Sequence, residues 1–61
     1  MHHVEIIGAN RFDIALVQEG VREVLLHGIL YKHVARERAV EKAGWLGVPV
    51  IDKTEASSPN P

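Results

Sequence analysis

Apolar positions along this chain change their spacing several times, and each change marks a different kind of element. The run HVEII, His3 to Ile7, is dense in β-branched side chains and ends at Gly8, which predicts a strand. Between Asn10 and His27 two periods compete. Taken in twos, Phe12, Ile14 and Leu16 share one face. The pairs Ala9-Asn10 and Glu19-Gly20 then become tight turns joining strands at about 3–8, 11–18 and 21–27 into a β-meander. Taken at 3.6, Asn10 caps a helix with Asp13 in its first turn, and Ile14, Val17, Val21, Val24 and Leu25 form one stripe. Gly20 and Gly28 would each cost a helix interior about 1 kcal/mol, and the β-branched residues on the stripe add to that cost. The meander is the preferred reading.

The clearest stretch is GILYKHVARERAVEKAG, from Gly28 to Gly44. It holds three alanines and six Arg, Lys or Glu, with no proline or internal glycine, and so predicts a helix over about Ile29 to Ala43. At 100° per residue Tyr31, Ala35, Ala39, Ala43 and Leu46 fall on one narrow face, with His33, Glu37 and Glu41 opposite. A stripe of alanine lets a sheet or a partner helix approach closely, with Tyr31 and Leu46 filling its ends. Gly44 is the expected stop, since glycine takes the left-handed conformation that closes a helix. Beyond it, Trp45 reads first as a core anchor, with a binding hot spot as the rival role. Val48 to Asp52 then reads as a short last strand, placed at an edge because Pro49 cannot donate a ladder hydrogen bond. The fold class is therefore α+β: an N-terminal strand or β-meander, one main helix at about 29–43, and a short C-terminal strand. Residues 1–52 form a single domain. Residues 53–61, KTEASSPNP, carry two prolines, two serines and no large apolar side chain, and read as a disordered tail.

Length sharpens this picture. A domain near 50 residues buries only about 60% of the surface its unfolded chain exposes and needs a staple. With no cysteine, neither a disulfide nor a thiolate metal site is available, a composition compatible with the cytosol. The chain nonetheless carries eighteen Val, Ile and Leu residues, so association with a second chain is the staple that remains. No run of eighteen apolar residues occurs, and MHHVEIIGANR lacks the basic region and apolar core of a signal peptide. A soluble, cytoplasmic protein without a membrane partner is expected.

Net charge is −1, which speaks against binding driven mainly by phosphate neutralisation. Its distribution is uneven: residues 1–27 sum to −2, from Arg11 and Arg22 against Glu5, Asp13, Glu19 and Glu23. Residues 28–44 sum to +2, from Lys32, Arg36, Arg38 and Lys42 against Glu37 and Glu41. An acidic half could dock on a basic helix, within one chain or between two. A solvated helix surface is the blander explanation.

The inventory for chemistry is poor. Ahead of the tail there is no Ser, Thr or Cys, so Tyr31 is the one hydroxyl in the folded part, and the glycines match no phosphate-binding spacing. A free amino group with His3 at the third position, after His2, can chelate Cu(II) or Ni(II), but His27 and His33 are six apart, off any shared helix face, and structural or solvated histidine is the preferred reading. Glu37 and Glu41 share a face at a spacing common on solvated helices. No catalytic residue, cofactor or metal is assigned. A strand meander, helix and strand is the order of a truncated OB-like barrel, and a strand before two helices that of a ribbon-helix-helix dimer. Only Phe12, Tyr31 and Trp45 could stack on bases, and Lys32 and Arg36 straddle the alanine face from Arg38 and Lys42. The reading that follows is a non-catalytic interaction module, a homo-oligomer or a small regulator bound to a larger protein, with Tyr31, Ala35, Ala39, Trp45 and Leu46 as its contact residues. The alternative is a nucleic-acid-binding regulator using Lys32, Arg36, Arg38 and Lys42.

Overall fold

The computed structural model describes residues 2–54 and contains four strands and one helix. β1 (His2–Gly8), β2 (Phe12–Gln18) and β3 (Val21–Ile29) form the meander, followed by α1 (Lys32–Leu46) and β4 (Val50–Asp52). The meander forms because the β2–β3 connection is a two-residue turn with positive φ at both Glu19 (51°) and Gly20 (82°), whose twist matches that of antiparallel strands. Between β1 and β2 the chain turns through residues 9–11, and Gly8 stands at φ 119°, where a Cβ would collide with the Arg11 carbonyl oxygen. Only glycine fits there.

β3 and β4 run in the same direction, so the chain must cross the sheet between them, and α1 makes the crossing. The sheet order is β3-β2-β1-β4, with β4 added parallel to β1. Pro49 lies just ahead of β4, and its carbonyl accepts the Val4 N–H at 2.9 Å, so proline costs the ladder nothing at this edge. β3, the other edge, is irregular: its register against β2 shifts between Phe12 and Ile14 and again between Ile14 and Ala15, and Gly28 has φ 75°. Such bulges twist an edge away from simple strand addition.

The strand period of two sorts side chains cleanly. Val4, Ile6, Phe12, Ile14 and Leu16 point to one face, and Ala35, Ala39 and Ala43 of α1 press against them, all buried. Leu25, Leu26, Ile29, Val48 and Val50 pack around this core, half-buried. The alanine row thus meets the chain's own sheet.

Several expectations for the helix need correction. α1 starts at Lys32, not Ile29, because β3 continues to Ile29 through the conformation Gly28 allows. It runs through Gly44 and ends at Gly47, whose φ of 71° and N–H bond to the Ala43 carbonyl (2.7 Å) close it, with Val48 N–H on the same oxygen at 3.0 Å. An isolated glycine costs a helix about 1 kcal/mol, and the left-handed cap one turn later offsets it. Tyr31 and Leu46 are exposed and do not fill the ends of the alanine face. The ordered chain also passes residue 52: Lys53 N–H bonds the Ile6 carbonyl at 2.8 Å, and Thr54 is buried against Asp52. The rest of the proposed tail, residues 55–61, lies outside the described residues. Among those described, no helix is long and apolar enough to cross a membrane.

Candidate interaction surface

Four strands about 4.8 Å apart make a sheet wider than a helix about 10 Å across, so one helix leaves part of its face open. α1 lies over the central strands β1 and β2, and Lys32 and Arg36 reach from it to Asp52 on the β4 edge (3.6 and 3.2 Å). At the start of β3 the helix face is uncovered: Val21 and Glu23, opposite Gln18 and Leu16, are exposed, while Arg22 and Val24 point to the face without a helix. At the hairpin end of the sheet two adjoining pockets share Leu16 and Gln18. One, about 290 Å³, is completed by Glu19, Val21 and Glu23; the other, about 100 Å³, by His2, Leu46 and Val48. Together they form a groove with an apolar floor and an acidic rim.

Trp45 stands 75% exposed in the last turn of α1, and Val21 (67%) and Leu46 (50%) are open as well. The core-anchor role expected of Trp45 is thereby overturned. Because the helix continues to Leu46, Trp45 is still helical and lies about 120° round the axis from the alanine row, which turns it away from the sheet. Lys42, one turn earlier, places its ammonium 4.9 Å from the ring centre.

On the helix side of the sheet the charged side chains around α1 and the hairpin form three groups. On the β4 flank, burial pushes the Asp52 carboxyl up, but the Thr54 hydroxyl (2.7 Å), the Thr54 N–H (2.9 Å), Arg36 and Lys32 together outweigh it and hold the carboxyl at about 2. The β3 flank of α1 carries Arg38, paired with Glu41 at 3.5 Å, and Lys42. Glu19 and Glu23 on the hairpin are exposed and join no ion pair among the described residues. The four basic residues therefore sit on two flanks: Lys32 and Arg36 are committed to Asp52, and Arg38 and Lys42 face the other way.

The sheet face away from α1 holds a feature the sequence did not reveal. Glu5 is fully buried there, ringed by His3 Nε2 (3.1 Å) and Lys53 Nζ (3.2 Å) on Oε1, with Arg22 Nε 2.6 Å from Oε2. Oε2 accepts no aligned hydrogen bond among the described residues, so Arg22 neutralises it by proximity. Burial raises the Glu5 carboxyl, and the three bases more than reverse this, leaving it below the ordinary carboxylate value. Alternation with Val4 and Ile6 was the signal that Glu5 faces away from the helix; its burial depends on Arg22 and Lys53 arriving from β3 and the end of β4.

Of the contact residues read from the sequence, Tyr31, Trp45 and Leu46 are exposed, whereas Ala35 and Ala39 are spent on the chain's own core. The Tyr31 ring lies 5.9 Å from that of His33 at the opposite end of α1 from Trp45. His27 is in β3 and His33 in α1, on separate elements. Among the described residues no group of three His, Asp or Glu side chains could hold a metal ion. Neither a family model, nor a curated protein, nor a solved structure matches this chain.

Proposed function

We propose that this chain is a small, cytoplasmic, non-catalytic interaction module that works by associating with copies of itself. One observation carries the reading: Trp45 is three-quarters exposed beside an apolar groove, in a domain too small to waste its one tryptophan on solvent. Tryptophan and its apolar neighbours Val21 and Leu46 make the kind of surface that anchors protein contacts, where a large rigid side chain buries much area at little entropic cost. The absence of cysteine is compatible with a reducing compartment.

Sedimentation equilibrium from about 5 to 500 μM tests it. The expected result is a mass that rises from monomer to dimer, with a melting temperature that rises alongside. A monomer across the whole range would refute it. Nucleic-acid binding is supported less well, because the four helix bases are split over two flanks and half of them are engaged by Asp52.

A further inference from the structure

Resting on that reading, we infer that two copies dock around a two-fold axis at the hairpin end, each placing Trp45 in the other's groove over Leu16 and Val21, with Lys42 of each meeting Glu23 of the other. Three observations lead there. First, the groove and its plug sit on the same molecule but cannot meet: Trp45 lines neither pocket and points away from the sheet. A second copy supplies the missing ring, and a two-fold operation does so reciprocally, since each copy offers one plug and one groove.

Second, the charges are complementary between copies and unspent within one. Among the described residues Glu19 and Glu23 rim the groove without ion-pair partners, and Lys42, the base nearest Trp45, is engaged by that ring and by no carboxylate. A ring entering the groove carries its ammonium to the acidic rim. The same face of a copy thus holds both signs, which is what a self-complementary surface requires. Third, the bulges confine the regular edge of β3 to Val21 to Val24, a run too short for strand addition alone, so side-chain docking is the better route to a dimer. A contact built on one tryptophan per copy is small, at or below about 1,200 Å² in total, and micromolar association is the corresponding expectation.

Charge reversal and mixing test the assignment. Glu23→Lys alone and Lys42→Glu alone each place two like-charge contacts in the dimer, and each should weaken association by about tenfold or more at low salt. Mixing the two variants removes both clashes. At one contact the two changed side chains oppose each other with opposite charge, and at the other the unchanged Lys42 of the first variant meets the unchanged Glu23 of the second. The heterodimer should therefore form within about threefold of the parent affinity. Glu23 is exposed and Lys42 half-buried with its ammonium over the Trp45 ring, and neither belongs to the core, so circular dichroism should show each variant folded. Trp45 emission should shift to the blue as the parent associates, and in the mixture but not in either variant alone. If the parent dimerises while both variants dimerise equally well, or the mixture fails to recover, this surface is wrong and the self-association stands. If the parent is monomeric throughout, both fall.

Discussion

Replacing Ala39 with Leu probes the contact on which the whole fold rests. Ala39 is fully buried at the middle of the row Ala35, Ala39, Ala43, with Val4, Ile6, Ile14 and Leu16 beneath. The substitution adds three carbon atoms where the alanine methyl already touches the sheet, so α1 must lift or the strands must shift. Overpacking of this kind costs about 1–3 kcal/mol. Against a total stability of roughly 3–8 kcal/mol for a domain near 53 ordered residues, that is a large share. A domain this size loses about 4–8 °C per kcal/mol, which predicts a fall of roughly 5–20 °C in melting temperature. Thermal unfolding followed by circular dichroism at one fixed concentration measures it. Val40→Leu is the control: the site is exposed on the same helix, and the change should stay within about 0.5 kcal/mol. If Ala39→Leu melts at or above the parent temperature, the alanine row does not lie against the sheet.

Trp45→Ala should keep the far-UV spectrum and shift monomer stability by no more than about 0.5 kcal/mol, while abolishing association in sedimentation equilibrium. Gly8→Ala should fail to fold or lose most of its stability in urea titration, because φ 119° and the collision of a Cβ with the Arg11 carbonyl oxygen admit no side chain. Asp52 is held near 2 against an ordinary 3.8, and since solvent screens this part-shielded carboxyl the stabilisation is on the order of 1 kcal/mol, present above pH 4 and lost as pH falls through 2. Asp52→Asn should therefore lower stability at neutral pH and flatten its dependence between pH 4 and 2.

Much of the architecture could be read from the chain, for identifiable reasons. The meander was favoured because Gly20 and Gly28 and the β-branched residues tell against a helix, and both glycines do take positive φ. The alanine row was legible because its spacing matches a helix and nothing else. Where the helix ended was not, since Gly44 and Gly47 are both plausible stops and the choice depends on whether β3 first consumes residues up to Ile29. That three-residue displacement decided the fate of Trp45: past the cap it could have folded back on the core, and inside the helix it cannot. The acidic groove was invisible for a different reason. It is assembled from β1, β2, β3, the last residue of α1 and Val48 beyond it, and no local pattern encodes how these come together at one end of a sheet.

The two perturbed carboxylates show how the β4 edge is anchored. Glu5 and Asp52 lie on opposite faces of the same seam, paired across β1 and β4 through the register Glu5 to Ile51 and Ile6 to Asp52. β4 has only three residues, at the short end for a strand, so side-chain contacts add to its few ladder bonds. On the helix side Asp52 draws in Lys32 and Arg36; on the open side Glu5 draws in Lys53 from just beyond β4 and Arg22 from β3. Exposed pairs of this sort contribute little singly, but both carboxylates are shielded and each faces several bases, which is where ion pairs matter more. These pairs tie the first turn of α1 to the β4 edge, while among the described residues no ion pair ties its last turn to β3. The helix is therefore held by charge at the β4 end and by apolar packing alone toward the hairpin end, where Val21 and Glu23 stay exposed.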